Sequence, residues 1–402
     1  MSPNPRNETT PDGPSRLRAI FDWLMSQECR RLGAAPFIDA FARALVTHGA
    51  PLFRFTTALP TLHPEIFVRS LVWMRGRETE ESIRGYSVIG GAMYLNSPVR
   101  LIHDGATVVR RKLVGSDAEL DFEVLEEIAG LGGTDYVAFP VPSSVRQVSF
   151  VSFVSDAKDG FAEDWIDLFR ALLPAFSLRL ELEASRAMTS DLLGTYLGAN
   201  TARKVLAGTF LRGQCETIDA ALWFSDLRGF TTLTDQAEPS YVIRTLDDYF
   251  ETLVRAIQDN GGEVLKFIGD GLLAIYRIED DTTASRERAC RQALKAARAA
   301  LVSLDVLNEG RVAAGDAPLR TGIALHHGPV MYGNIGARDR LDFTVIGRAV
   351  NEVARLENLS AKIERPILAS AAFAASVKDS SLRTFGFHEM KGLREPREVF
   401  GE

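Results

Sequence analysis

The sequence has few cysteines, no long apolar run and no excess of positive charge. Its 402 residues include three cysteines, Cys29, Cys215 and Cys290, whose wide spacing fits neither a disulfide framework nor a zinc cluster. No uninterrupted apolar run approaches the roughly 18 to 20 residues that cross a bilayer, so we expect no membrane span and a cytoplasmic protein. The formal charge of −7 argues against a nucleic-acid groove, because clustered lysine and arginine bind phosphate backbones.

The composition is otherwise that of a globular protein. The hydrophobic fraction is 46% and the charged fraction 25%, which excludes disorder over most of the chain. The length suggests roughly two to three domains. Only Met1–Ser15 is predicted to be a disordered tail, since it contains four prolines and no apolar period. This stretch also lacks the apolar centre of a signal peptide.

The N-terminal half has a mixed α/β pattern. Apolar residues at helical spacing predict one amphipathic helix over Arg16–Arg31 and another helix over Asp121–Leu131. Apolar runs at Val137–Val141 and Val148–Val154 predict two strands joined by a tight connection. We interpret residues 16–162 as a regulatory α/β domain.

A long helix is predicted after this domain, over Glu163–Met188. Its apolar stripe could pair with a second copy in a parallel dimer or pack on the N-terminal domain, and Pro174 argues against an unbroken coiled coil. A second helical segment is predicted over Asp191–Gly208. Residues 163–211 would then link the two halves of the chain.

From Thr217 onwards the predicted order is β, α, β, β, α, β. The predicted elements are a strand at Ile218–Ser225, a helix at Ser240–Asn260, strands at Glu263–Phe267 and Leu272–Tyr276, a helix at Ser285–Glu309 and a strand at Leu319–Leu325. This order is that of a ferredoxin-like palm, a sheet with helices on one face and the other face free. We place this domain at residues 212–402, which makes the whole chain an α/β (α+β) protein.

Two acidic residues stand where a palm would bring them together. Asp226 follows the first strand of this domain, and Asp270 lies in the Gly269–Gly271 turn between the next two strands. Paired carboxylates beside a tight turn suit Mg²⁺, which prefers oxygen ligands and leaves room for substrate phosphates. An isolated aspartate in a glycine-rich turn would more often be structural.

Three segments resemble the signatures of the class III adenylate and guanylate cyclase family. Phe224–Thr231, with the sequence FSDLRGFT, resembles its metal-binding signature, and Lys266–Asp270 resembles the second metal segment. Asp342–Glu357 resembles its ribose and phosphate segment. The three occur in the family's order over about the last half of the chain.

The resemblance implies a metal and phosphate site. Asp226 and Asp270 would hold two Mg²⁺ or Mn²⁺ ions, and the Leu227 carbonyl would assist one of them. The backbone of Gly229, Phe230 and Thr231 would cradle phosphates, and a loop between a strand and a helix does present free N–H groups to an anion.

In this family two residues select the purine, and here they are Lys266 and Thr344. Lysine can donate to N1 of adenine, and a threonine hydroxyl can accept from its exocyclic amine. Guanine presents the opposite pattern at those edges, so the pair predicts ATP as substrate and cyclic AMP as product. A guanylate cyclase is the rival within the family.

The third segment implies the remaining roles. Asn351 would orient the ribose, and Arg355, four residues later on the same helix face, would stabilise charge on the α-phosphate. Lys391 resembles a further phosphate-contacting lysine. Because the family builds each site from two catalytic domains and this chain has one, the resemblance implies a homodimer with two equivalent sites.

Two questions stay open at this level. A degenerate cyclase domain that serves as a binding or scaffolding module is the rival from another functional class. The N-terminal half resembles a GAF-like sensor only in its mixed α/β order and in its position before a helix. The effector could be a small molecule, bicarbonate, a redox change or a protein partner.

Overall fold

The computed structural model describes residues 13–61, 63–88, 91–142, 149–209, 211–391 and 394–402. The chain divides into two compact units, Met1–Leu192 and Leu193–Glu402. Residues 1–12 of the predicted tail lie outside the described residues. Helix α1 begins at Gly13, so the tail prediction is wrong for residues 13–15. None of the helices in the described ranges is long and apolar enough to cross a membrane.

The N-terminal unit begins with three helices that pack together. They are α1 (Gly13–Leu24), α2 (Gln27–Arg31) and α3 (Ala34–Thr47). The prediction of a single helix over residues 16–31 is wrong, because Ser26 interrupts it. The Ser26 hydroxyl accepts a hydrogen bond from the backbone N–H of Cys29 and caps a new helix there.

Six antiparallel strands form the sheet of this unit in the order β3-β2-β1-β6-β5-β4. The strands are β1 (Leu52–Pro60), β2 (Ile66–Met74), β3 (Glu80–Gly85), β4 (Val109–Lys112), β5 (Asp135–Val141) and β6 (Ser149–Ser155). Strands β5 and β6 pair along their length, which confirms the predicted pair of strands. Val148 of that prediction lies outside the described residues.

Both faces of this sheet carry helices. Short helices α4 (Ala92–Leu95) and α5 (Pro98–His103) precede α6 (Glu123–Gly130), which ends close to the predicted Leu131. One core contains α1, α3 and the next long helix with the Phe55 face of β1. A smaller core contains Ile102 of α5, Ile128 of α6 and Tyr136 of β5.

The long helix α7 runs without interruption from Glu163 to Leu197. It therefore continues nine residues past the predicted end at Met188, and Pro174 does not break it. The apolar stripe of α7 is buried within the N-terminal unit, where Phe176 contacts the rings of Phe37 and Phe41. The intramolecular alternative therefore accounts for this part of the stripe. Helix α8 spans Ala199–Leu206.

The C-terminal unit contains a larger sheet in the order β13-β14-β12-β10-β7-β9-β8, with β11 paired to β10. Its elements in chain order are β7 (Cys215–Leu227), α9 (Phe230–Gln236), α10 (Pro239–Asp259), β8 (Glu263–Ile268), β9 (Gly271–Ile278), α11 (Thr283–Ala313), β10 (Thr321–Gly336), β11 (Leu341–Ile346), α12 (Arg348–Ile363), β12 (Ile367–Ser370), α13 (Ala371–Val377), β13 (Arg383–His388) and β14 (Arg397–Gly401). The predicted β, α, β, β, α, β order is confirmed in β7 to β10.

The prediction that one face of this sheet is free is wrong. Helices α10 and α11 cover one face through Tyr249 and Leu294, beside Trp223 of β7. Helix α12 covers part of the other face, where Val353 packs against Leu222 of β7. Alternate residues of β7 therefore enter two different cores, as a strand buried on both faces requires.

Candidate active site

The carboxylates of Asp226 and Asp270 meet where β7 ends beside the β8–β9 hairpin. Asp226 lies opposite Gly271 in the pairing of β7 with β9, and Asp270 directly precedes that glycine. A Cβ atom at Gly271 would lie 2.7 Å from the Ser225 carbonyl oxygen. Glycine at this position therefore allows the hairpin to approach β7 closely enough to bring the two acids together.

The electrostatic environment of Asp226 is unfavourable to its charge. Burial and the neighbouring Asp270 carboxylate raise the pKa of Asp226 to about 6, although Arg228 opposes this shift. The backbone of Asp226 is held in place by a separate contact, since Thr321 Oγ1 donates to the Asp226 carbonyl oxygen at 3.1 Å. Thr321 Oγ1 also lies 2.7 Å from the Tyr249 hydroxyl.

The nearest arginine is engaged elsewhere. Arg228 Nη1 lies 2.8 Å from Glu357 Oε1 on α12, and its Nη2 donates to the Ser360 hydroxyl. Burial raises the pKa of Glu357 to about 7, with Arg228 acting against it. Within the described ranges, neither Asp226 nor Asp270 forms an ion pair with a lysine or arginine. The two acids are thus a carboxylate pair that has no ion-pair partner in the described part of the chain.

This set of two carboxylates suits a cation whose remaining coordination positions are filled by the substrate. No group of three or more histidine, cysteine, aspartate or glutamate residues in the described part of the chain could hold a metal ion. Mg²⁺ commonly uses only one or two protein carboxylates and takes its other ligands from water and substrate phosphates. Asp226 and Asp270 therefore fit a divalent ion that arrives with a nucleotide.

The loop after β7 presents backbone donors beside the pair. Gly229 has φ +79°, a left-handed conformation that glycine adopts without strain, and it precedes the first residue of α9. The N–H groups of Phe230 and Thr231 lie in the first turn of that helix, where intrahelical acceptors are lacking.

The two predicted purine-selecting residues lie on other strands. Lys266 of β8 forms an ion pair with Asp342 of β11. The Thr344 side chain is buried, and its hydroxyl oxygen has no hydrogen-bond partner within the described residues. Thr344 pairs with Gly333 of β10, and Gly333 pairs with Cys215 at the start of β7. Asp226 lies eleven positions further along β7, roughly 35 Å of extended strand at 3.2 to 3.4 Å per residue.

Asn351 and Arg355 lie on the outer face of α12. Asn351 is exposed and Arg355 is half-buried, whereas Val353 and Ser360 are buried against the sheet. At 3.6 residues per turn, the Asn351–Arg355 face is roughly 150° around the helix from Val353 and Ser360. Because Ser360 contacts Arg228, this face points away from the chain's own carboxylate pair.

Lys391 is an exposed residue in the connection between β13 and β14, and the neighbouring Gly392 and Leu393 lie outside the described residues. Among the described residues, no hydrogen bond or ion pair joins Lys391 to the site. The chain thus brings together Asp226, Asp270 and the Gly229 loop. Lys266 lies in the same hairpin as Asp270 but is paired with Asp342, and within the described ranges no hydrogen bond or ion pair joins Thr344 or the α12 residues to the carboxylate pair.

Sequence reasoning missed the contacts that support the carboxylate pair. Glu357 is 3% exposed although it is charged, and it faces the sheet with Val353 and Ser360. The helical spacing of these three positions indicates a buried face of α12 and could have identified Glu357 as an acid in need of a partner. Thr321, which holds the main chain of Asp226, carried no comparable signal.

Residues 214–400 match the family model described as the adenylate and guanylate cyclase catalytic domain. The C-terminal unit is therefore similar to a cyclase catalytic domain over these residues. The family description itself includes both purine specificities.

Curated relatives of this cyclase domain include two bacterial adenylate cyclases. Adenylate cyclase 1 of Rhizobium meliloti is 30% identical over 178 residues, which are 44% of this chain and 26% of that protein. Adenylate cyclase of Anabaena cylindrica is 30% identical over 197 residues, 46% of this chain and 38% of that protein. The chain therefore spans well under half the length of these relatives.

Similar solved structures include cyclases named for each purine. The adenylyl cyclase CyaB from P. aeruginosa is 28% identical with a TM-score of 0.43, over 46% of this chain and 94% of that one. The guanylyl cyclase Cya2 is 25% identical with a TM-score of 0.40, over 46% and 92%.

Proposed function

We propose that this protein is an adenylate cyclase that converts ATP to 3′,5′-cyclic AMP and pyrophosphate at sites shared by two copies of the chain. The observation that carries the proposal is the Asp226–Asp270 pair, which is held in place and has no ion-pair partner among the described residues. Such a pair is unfavourable until a cation binds. A module that only binds other proteins gains nothing from retaining it.

Asp226 and Asp270, with the Leu227 carbonyl, would hold two Mg²⁺ or Mn²⁺ ions. When bound, these ions supply positive charge to the triphosphate and lower the pKa of the ribose 3′-hydroxyl. The reaction is in-line attack of the 3′-oxygen on the α-phosphorus, with pyrophosphate as leaving group. The residues of the protein would position the substrate, and no side chain needs to act as nucleophile.

Two groups of residues act on opposite ends of ATP. The N–H groups of Gly229, Phe230 and Thr231 would donate to phosphate oxygens. Lys266 would donate to adenine N1, for which it must leave Asp342, and Thr344 would accept from the exocyclic amine. The buried Thr344 hydroxyl has no partner among the residues that the structure describes, and it is the kind of group that a bound base would satisfy.

The helix α12 would complete the reaction centre. Asn351 would orient the ribose, and Arg355 would stabilise the charge that develops on the α-phosphate, a task suited to a guanidinium that stays protonated. Lys391 would add a further phosphate contact.

A second copy of the chain supplies what one copy lacks. The Asn351–Arg355 face of α12 points away from the chain's own carboxylates. Thr344 pairs with Gly333, whose partner Cys215 lies at the opposite end of β7 from Asp226. A twofold-symmetric dimer would combine the carboxylates of one protomer with Lys266, Thr344, Asn351 and Arg355 of its partner, and would create two equivalent sites.

A product assay with ATP and GTP side by side tests the chemistry. With Mg²⁺ or Mn²⁺ we expect cyclic AMP from the full chain and little cyclic GMP. Predominant cyclic GMP would identify a guanylate cyclase. The absence of both products under either ion would favour a binding module.

The same assay addresses regulation. We propose that residues 16–162, a GAF-like domain, regulate a catalytic domain at residues 212–402 through the helices of residues 163–211. A chain that starts at Arg212 should therefore differ from the full chain in its rate of product formation. Equal rates would argue against regulation by the N-terminal unit.

A mixing experiment tests the shared site. Asp226→Ala and Arg355→Ala proteins should each be inactive, and heterodimers of the two should regain one intact site. A mixture of Asp226→Ala with Asp270→Ala is the matched control, because both changes affect the same half of the site and no recovery is expected. Lack of recovery in the first mixture despite subunit exchange would contradict the dimer.

A further inference from the structure

The N-terminal unit contains a cavity of about 240 Å³ on the sheet face opposite its main core. Strand β1 forms its floor: Phe55 points into the main core, so the alternating Arg54, Thr56 and Ala58 point into the cavity. Residues of α5 and α6, among them Val99 and Ile128, form part of its wall. The cavity is therefore built between the sheet and two helices.

Arg54 is the unusual residue of this cavity. Its Nε and Nη1 atoms are buried, and neither has a hydrogen-bond partner in the part of the chain that the structure describes. Burial also lowers the pKa of Arg54, although the carboxylates of Glu80 and Glu127 and the Tyr136 hydroxyl oppose this shift from a distance. A buried guanidinium without a hydrogen-bonded anion is strongly unfavourable, so a missing anionic partner explains its presence.

None of the described residues that line the cavity carries a negative charge that could serve as this partner. They include two arginines and a histidine, Arg54, Arg84 and His103, but no aspartate or glutamate. Tyr136 and Ser152, whose side chains contact each other, also line the cavity and carry hydroxyl groups of the kind that donate to an anion. Burial raises the pKa of Tyr136 to about 12, so this hydroxyl keeps its proton at neutral pH.

The remaining wall and the volume limit the ligand further. Apolar side chains supply much of the lining, namely Ala58, Phe67, Val68, Pro98, Val99, Val124, Ile128 and Phe150. The volume is below the roughly 300 to 1,000 Å³ of sites for drug-sized ligands. A nucleotide is thus too large and too polar, whereas a compact apolar body with one anionic end fits.

We propose that this cavity binds a small organic monocarboxylate, whose carboxylate accepts hydrogen bonds from Arg54 and whose short aliphatic or aromatic body contacts the apolar wall. A guanidinium and a carboxylate form two parallel charge-assisted hydrogen bonds, which gives both affinity and orientation. This site is separate from the proposed cyclase chemistry and does not depend on it.

Titration calorimetry of the full chain tests the site, with benzoate and hexanoate as probes and benzamide as the uncharged control. We expect benzoate or hexanoate to bind with a Kd of about 1 mM or tighter, and benzamide at least about tenfold more weakly, one order of magnitude being about 1.4 kcal/mol. Equal binding of benzoate and benzamide, or no binding of either acid, would overturn the proposal.

Substitution of the arginine gives a sharper result. Arg54→Met should weaken benzoate binding at least about tenfold while the melting temperature of the ligand-free protein stays the same or rises, because a buried unpaired charge is removed. Arg43→Met, which changes an exposed arginine of α3 outside the cavity, should leave binding unchanged. Unchanged binding in Arg54→Met would refute the role of this residue.

A second variant covers the case in which Arg54→Met does not fold. Val99→Phe adds volume to the half-buried wall residue of α5 and leaves Arg54 in place. It should weaken binding of hexanoate and benzoate at least about tenfold, since the added ring occupies the ligand's space. Binding that survives this substitution would place the acids outside the cavity and contradict the proposal.

Discussion

Asp135 in the N-terminal sheet and Asp226 in the C-terminal sheet are both acids on interior strands, but their surroundings differ. Arg110 Nη2 and Lys112 Nζ lie 2.8 and 2.9 Å from Asp135 Oδ2, and the backbone N–H of Phe161 donates to the same oxygen. Burial alone would raise the pKa of Asp135, yet these three partners outweigh it and hold the pKa below its usual range. Asp226 has a second acid beside it, and its pKa is raised.

The difference separates a structural acid from a functional one. Asp135 is fully buried and completely partnered within its own unit, so its charge contributes to the fold. The Asp226–Asp270 pair destabilises the folded state until a cation binds, and a chain retains such a pair where a ligand is bound.

The first test removes one acid of the unneutralised pair. Asp270→Ala should reduce cyclic nucleotide formation by at least about 10³-fold, because a metal ligand contributes several kcal/mol to stabilising the transition state. The circular dichroism spectrum should stay close to that of the original protein, and the melting temperature without metal should stay the same or rise, because the repulsion within the pair is removed.

Asp259→Ala is the control for this experiment, since Asp259 is an exposed acid at the end of α10. It should keep full activity. Retained activity in Asp270→Ala would contradict a functional role for the Asp226–Asp270 pair.

The second test removes the partnered acid. Asp135→Asn should lower the free energy of unfolding by about 3 kcal/mol, since it leaves Arg110 and Lys112 without their shared anion. Urea titration measures this change. Asp156→Asn breaks the more exposed ion pair with Arg75 and should cost less than about 1 kcal/mol. Equal effects of the two substitutions would contradict the structural role of Asp135.

The third test uses pH. The pKa of Asp226 is about 6 in the folded state against an ordinary value of 3.8, so its ionisation lowers stability as pH rises through 6. With EDTA at pH 7.5, Asp226→Asn should therefore be more stable than the original protein by about 1 to 2 kcal/mol, a value reduced for partial exposure. At pH 5 the difference in stability between Asp226→Asn and the original protein should be smaller.

The original protein and Asp226→Asn can also be compared in the presence of metal. Addition of Mg²⁺ at pH 7.5 should raise the melting temperature of the original protein and leave that of Asp226→Asn unchanged. A destabilised Asp226→Asn variant in EDTA would show that the Asp226 and Asp270 carboxylates do not repel each other unfavourably. It would also contradict the difference drawn between Asp226 and Asp135.

The smallest expected effect concerns the buried Thr344 hydroxyl, another polar group without a partner among the described residues. Thr344→Val keeps the shape and removes this oxygen, so the free energy of unfolding should stay within about 0.5 kcal/mol or rise slightly. The KM for ATP should increase, because the hydroxyl would no longer accept from adenine. A large loss of stability with an unchanged KM would make Thr344 a structural residue.

Local patterns predicted much of the cyclase domain. The strand predicted at Glu263–Phe267 spans Glu263–Ile268, and the helix predicted at Ser240–Asn260 spans Pro239–Asp259. In contrast, the strand predicted to end at Leu325 continues to Gly336 as β10. Gly328 and Pro329 suggest a turn there, but pairing with β7 on one side and β11 at the end keeps this segment extended.

Residue types and short-range spacing determined which side chains could perform chemistry. Asp226 at a strand end, Asp270 in a glycine turn and the four-residue step from Asn351 to Arg355 are all readable within a few positions of the chain. The tertiary structure decided which of them meet. Arg228 reaches Ser360, 132 positions away, and forms its ion pair with Glu357 instead of with either carboxylate of the pair. Burial and strand register depend on contacts between distant segments, and local periodicity carries no information about those contacts.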